Sequence, residues 1–279
     1  MTLGWDGRRS GLHYDRELKV KRSERQADMK HKYKGMISSD WSECLAPSGP
    51  FDPMAFVYPE LKAELSEVFR QYTGNQITLS EATRRIGELL PKPLTEKQMD
   101  AYLDASFVTY RGVTDLMRWC QKNGLLFMIN TTGMQGYFQR ALARGLLPEG
   151  IVVAANPMIS YPRHGIEMYE VREIEDKARN TETVMAKYCI SAEKLIVMGD
   201  SGGDGPHFAW GAGMGAYLVG SMPKPSLEKY CKEKGVKIST RFGVTYSEGE
   251  KRDLEREMKV DFIGLVAVIE EVMGNQEKR

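Results

Sequence analysis

Leu195-Ile196-Val197-Met198-Gly199-Asp200-Ser201-Gly202-Gly203-Asp204 is the stretch from which the chain is best read. Its first four residues form a continuous apolar run, the pattern of a strand buried on both faces of a parallel sheet. Gly199 ends the run, and two carboxylates follow, four positions apart in a glycine-rich turn. Parallel α/β sheets carry their chemistry at the carboxyl ends of their strands. Two acids on backbone that a ligand can approach closely suit a hard cation with oxygen ligands, Mg²⁺ first. The competing reading is purely structural: Asp200 and Asp204 would cap a helix starting near Pro206.

Upstream, Lys177 opens a helix through Val184 and Tyr188 that leads into this strand. Before it lie a strand at Ile151–Ala154, an irregular hairpin over 161–171, and a helix around Tyr137 to Leu142. Leu125–Ile129 is another buried strand, ending in Asn130-Thr131-Thr132-Gly133. A helix from Val113 to Cys120, closed by Asn123-Gly124, precedes it. The first strand is Tyr33–Asp40, followed by Trp41-Ser42-Glu43-Cys44. Between them, 47–58 is rich in Pro and Gly, and three helical patterns follow, with Ser80 and Thr95 as caps. Downstream come a short helix over 208–213, a strand at 216–219, and a closing amphipathic helix through Phe262, Leu265 and Ile269. Residues 222–258 show no clear period. Strands alternating with helices define an α/β fold, a doubly wound parallel sheet. The expected organisation is a polar arm over 1–33, a core from 34–46 and 109–279, and an inserted helical cap over 47–108.

Composition narrows the function. Lys and Arg number 39 against 38 Asp and Glu, a net charge of +1, so no global field points to nucleic acid or a membrane surface. The arm holds nine basic and five acidic residues, too mixed for a strong patch. Cys44, Cys120, Cys189 and Cys231 are scattered, which disfavours a zinc site or disulfide framework and suits a reducing cytoplasm. No apolar run approaches a membrane span. Neither a P-loop nor a dinucleotide fingerprint occurs; Gly211-Ala212-Gly213-Met214-Gly215 has the wrong spacing. His164 and His207 are isolated, and His207 is read as a helix-start or surface residue more readily than as a lining one.

Polar chemistry thus closes three strands: Asp40, Thr131, and the Asp200/Asp204 pair, with Lys177 at a helix start between the last two. In this order the chain resembles the haloacid dehalogenase superfamily, most of whose members are Mg²⁺-dependent phosphatases. Tyr110-Arg111-Gly112-Val113 through Thr131-Thr132-Gly133-Met134 is similar to the phosphoserine phosphatase branch, and 47–107 to its cap. The resemblance implies Asp40 as nucleophile and a metal held by Asp40, Asp200, Asp204 and the Ser42 carbonyl. It also implies Lys177 as charge partner, with Thr131, Thr132, Gly133 and Lys177 around the phosphoryl group. A small phosphorylated metabolite would then be hydrolysed through an aspartyl-phosphate, since charge neutralisation lets a carboxylate attack phosphorus.

One position departs from the family. A second Asp, two residues after the nucleophile, usually serves as general acid; here it is Ser42, whose hydroxyl cannot do so near neutral pH. Adjacent Glu43, in an extended turn, should point the other way. The family's phosphonate-cleaving branch also lacks the acid but uses a separate lysine, and Lys62, Lys92 and Lys97 are ordinary surface candidates. Two further readings therefore stand beside the phosphatase: a phosphonate-cleaving relative, and a degenerate relative that binds a phosphorylated ligand or a partner without efficient turnover.

Overall fold

Seven short runs become seven parallel strands in the order β4-β3-β2-β1-β5-β6-β7. In this computed structural model the described residues are 33–73, 76–162 and 168–274. The arm up to residue 32 and His164 lie outside them. β1 (Gly35–Ser39) is the centre of the sheet, paired with β2 (Leu125–Met134) on one side and β5 (Leu195–Gly199) on the other. Both faces of β1 and β5 are buried, which is why their sequences read as unbroken runs rather than alternations. β3 (Val152–Asn156), β6 (Tyr217–Ser221) and the short β4 (Met168–Glu170) and β7 (Thr240–Phe242) complete it. β4 runs parallel to β3, so the described part of 161–171 is an edge strand, not a hairpin arm.

Four helices form the insert that follows β1: α1 (Asp52–Val57), α2 (Lys62–Thr73), α3 (Leu79–Leu89) and α4 (Glu96–Ser106). Thr95 caps α4 in a reciprocal capping box with Gln98. The cap of α3 is Thr78, not Ser80: Thr78 has extended backbone and accepts from the Glu81 N–H, whereas Ser80 is already inside the helix. The insert does not own a separate core. Leu65, Ile86 and Tyr102 belong to the same buried cluster as Ile37, Phe127 and Phe262.

After α5 (Val113–Lys122) the chain alternates regularly through α6 (Gln135–Ala143), α7 (Asp176–Tyr188) and α8 (Gly205–Met214). The unreadable 222–258 holds α9 (Pro225–Glu233), β7 and the single turn α10 (Leu254–Glu257), and α11 (Val266–Gly274) follows a 3₁₀ turn at Phe262–Leu265. Its short elements carry charged residues tied to partners far along the chain, and local periodicity cannot reveal those. No helix among the described residues is long and apolar enough to cross a membrane.

Candidate active site

The carboxyl ends of β1, β2, β5 and β6 converge on a cavity of about 330 Å³. β1 delivers Asp40, whose N–H donates to the Met198 carbonyl of β5 at 3.0 Å, locking the two strand ends together. Asp200 and Asp204 leave the end of β5. Ligand oxygens of Asp40, Asp200 and Asp204 lie within 4.8 Å of one another, and all three residues are buried. Asp204 does not cap the following helix with its side chain. Its Oδ2 instead turns back to accept from the Asp200 and Ser201 N–H groups at 3.0 and 3.2 Å, which stiffens the glycine-rich turn. Asp204 thus caps the 3₁₀ turn at Gly202–Asp204, in a reciprocal pairing with Ser201, and not the helix that follows. Gly199 is required: a Cβ there would lie 2.5 Å from the Asp204 carboxyl carbon.

Lys177, 2 % exposed, reaches into this floor, with Nζ 2.6 Å from Asp204 Oδ1 and 3.2 Å from Asp40 Oδ1. Burial lowers the lysine, but the two carboxylates outweigh it and hold the ammonium charged. Burial pushes Asp204 up, and Lys177 with the turn N–H groups brings it below its ordinary value. Asp40 is raised by burial despite Lys177. For Asp200 burial dominates and lifts the carboxyl to about 8 even with Lys224 Nζ 2.7 Å away. Neither Asp200 oxygen nor Asp40 Oδ1 has a donor aligned for a hydrogen bond. Buried acceptor-only oxygens without donors are costly. A hard divalent cation is what this donor set fits, since it would satisfy all three oxygens together.

Lys177 is aimed from below. Asn130 Nδ2 donates to the Lys177 carbonyl at 2.8 Å, and the Thr181 hydroxyl donates to the same oxygen at 2.8 Å. Ser38 and His207 close the network on Thr181, at 2.9 and 3.0 Å. His207 is therefore a buried support, stacked near Trp210, and not on the cavity wall.

Of the phosphate-binding candidates, Thr132 and Lys177 line the cavity. Thr131 is fully buried: its hydroxyl accepts from the Gly133 N–H at 3.2 Å, and it lies near enough to Asp40 to oppose the rise of that carboxyl. Gly133 lies off the main cavity, beside Trp41 and Tyr137. Ser42 and Glu43 both line the cavity, so Glu43 does not point away. The turn is not extended there: Glu43 has φ 58°, and its N–H donates to the Ala46 carbonyl at 2.7 Å. A non-glycine residue in that region costs about 1 kcal/mol or more, and two cations hold it: Lys224 on Oε2 and Arg252 on Oε1.

Lys224, at the end of β6, was not singled out from sequence. A fourth strand end with Lys-Pro was the available signal, because β6 finishes on the same sheet edge as β5. Tyr72 of α2 also lines the cavity and left only a weak trace, one more apolar position in an amphipathic helix.

No protein-family model and no curated sequence matches the chain. Solved structures do. A substrate-bound phosphoserine phosphatase is 17 % identical with TM-score 0.58, covering 81 % of this chain and 97 % of that one. A HAD family hydrolase from Salmonella enterica serovar Typhi is 18 % identical with TM-score 0.62, covering 93 % and 79 %. Cytosolic 5'-nucleotidase IIIB bound to cytidine is 15 % identical with TM-score 0.55, covering 88 % and 87 %. At these identities the likeness is one of fold.

Proposed function

From the fold of a haloacid dehalogenase hydrolase, we propose that the chain is a Mg²⁺-dependent phosphatase of a small phosphorylated metabolite. The observation that carries this is the set of unsatisfied oxygens on Asp40 and Asp200 beside the Lys177 ammonium. Asp40, Asp200 and Asp204 would hold the ion, the Ser42 carbonyl completing the set, and the ion would supply positive charge against the phosphoryl oxygens. Lys177 neutralises Asp204 and restrains Asp40, leaving an Asp40 oxygen free to attack phosphorus. Thr131 orients that carboxylate from behind. Thr132 and the backbone of the Thr132–Gly133 turn would receive phosphoryl oxygens. Helices α1–α4 form the cap that excludes water, hinged at 47–59 and near Tyr110.

The phosphonate-cleaving reading needs a lysine with a free amine. Both lysines in the cavity, Lys177 and Lys224, are each ion-paired to two carboxylates, which favours the phosphatase. The test is turnover of p-nitrophenyl phosphate with Mg²⁺, an ester whose leaving group needs no proton. Turnover should vanish with chelator and fall at least about 10³-fold in Asp40→Asn, and acid quench should trap phosphate on Asp40. Turnover that survives Asp40→Asn unchanged would exclude this mechanism. No turnover at all would leave the binding reading.

A further inference from the structure

The second Asp of the family's motif is absent, yet an alkyl phosphate needs a proton for its departing oxygen. Apart from the three carboxylates assigned to the metal, four side chains on the cavity wall could in principle carry one. Glu43 has both oxygens taken by Lys224 and Arg252. Lys177 and Lys224 are each held between two carboxylates. Tyr72 is the fourth, and no ion pair engages it. The remaining lining hydroxyls are aliphatic alcohols, as poor in this role as Ser42.

We propose that Tyr72, carried by cap helix α2, is the proton-transfer residue of this active site, serving first the leaving oxygen and then the attacking water. The proposal rests on the phosphatase reading above. Its geometry is that of a fixed group. The Tyr72 ring packs against both buried clusters of the molecule, one on each face of the sheet. It lines the same cavity as Asp40, Lys177, Asp204 and Thr132, entering from the insert between β1 and β2. The neighbouring Phe69, 5.6 Å edge-to-face from Phe51, holds the helix at this depth.

The chemistry balances in two steps. As an Asp40 oxygen bonds phosphorus, the bond to the leaving oxygen breaks and its electron pair stays with that oxygen. The Tyr72 proton then completes the alcohol, leaving a phenolate. Water next gives a proton to that phenolate while its oxygen bonds phosphorus. The Asp40–phosphorus bond breaks with its pair returning to Asp40, freeing inorganic phosphate and neutral Tyr72. Burial lifts the phenol to about 12, Asp40 and Asp204 adding to the rise and Lys177 and Thr132 opposing it. The group is thus protonated at neutral pH, and its conjugate base is strong enough for the second step.

The experiment compares Tyr72→Phe with the parent chain on ethyl phosphate and p-nitrophenyl phosphate, both with Mg²⁺. The ring is kept, so packing is preserved. We expect kcat/KM for ethyl phosphate to fall about 10²–10³-fold and that for p-nitrophenyl phosphate to change less than about threefold. A stoichiometric burst of nitrophenol should then precede a slow phase, because dephosphorylation has lost its base. Adding Ser42→Asp to Tyr72→Phe should restore most ethyl phosphate turnover. Thr132→Val, which removes a neighbouring hydroxyl from the same cavity wall, should depress both substrates alike. Equal losses on both substrates in Tyr72→Phe, or none on ethyl phosphate, would overturn the role of Tyr72 alone. Absence of any p-nitrophenyl phosphate turnover in the parent chain would overturn the phosphatase reading and the proposal with it.

Discussion

Two ionic clusters lie side by side, joined through Lys224 and Glu43, and they are built on opposite terms. The first is the floor of Asp40, Asp200, Asp204 and Lys177. The second gathers Glu43, Arg252, Glu257 and Tyr110. In the second every arm is used: Glu257 accepts from Tyr110 at 2.5 Å, Tyr246 at 2.9 Å and Arg252 at 2.7 Å. Arg252 also donates to Glu43 at 2.7 Å and to the Pro47 carbonyl at 3.1 Å. In the floor, three carboxylate oxygens have no aligned donor. A cluster that only holds the fold satisfies its own groups; one that waits for a ligand leaves acceptors open. The contrast separates structure from chemistry more cleanly than burial, since Glu257 of the second cluster is as buried as the floor.

The sharpest way to break the contrast is to cut each cluster once. Arg252→Met takes from Glu257 its only cation among the described residues and from Glu43 one of two, and should lower the unfolding free energy by roughly 2 kcal/mol, discounted for partial exposure of the arginine; urea titration reads it. Aryl phosphatase rate at low temperature, where the fold survives, should change much less. Asp200→Asn should do the reverse. It removes a carboxyl whose burial outweighs its ion pair with Lys224, so metal-free stability should hold or rise, while Mg²⁺ affinity by calorimetry should drop about 100-fold. A large loss of metal-free stability in Asp200→Asn would place the floor with the structural cluster.

The smallest effect concerns the support beneath the floor. His207 is fully buried, and burial takes it from 6.5 down to about 3, with Lys177 acting in the same direction. Above pH 6.5 it is neutral whether the chain is folded or not. As pH falls below that, the unfolded chain takes up a proton that the folded one refuses, so stability drains away until about pH 3. The loss attributable to this residue should be about 2 kcal/mol at pH 5. His207→Gln should lack that portion of the acid slope, and equal slopes in the two proteins would show that the imidazole is solvated.

The floor was legible because its residues sit at strand ends, where apolar runs stop abruptly: Asp40, Thr131 and Asp200 each follow such a stop. Lys177 and Asp204 came with them through the order of the motifs. Glu43 was misread because alternation of side chains presumes extended backbone, and residue 43 is left-handed, held so by partners 181 and 209 positions away. Lys224 and Arg252 escaped for the same reason, since their meaning lies wholly in remote contacts. Tyr72 escaped because a helix position that packs against a core and one that also lines a cavity look alike in sequence.

Strand order also dictates when the molecule can be assembled. β1 is made first yet lies at the middle of the sheet, and its two neighbours begin at Leu125 and Leu195. During synthesis its apolar faces must therefore wait until β5 has left the ribosome before both edges are paired. The clasp on Glu43 waits longer still, for Arg252. Such contacts close large loops and form late, which makes folding slow. The strand that ends at Asp40 is thus the one of the seven with the longest exposure to misassembly and to chaperones.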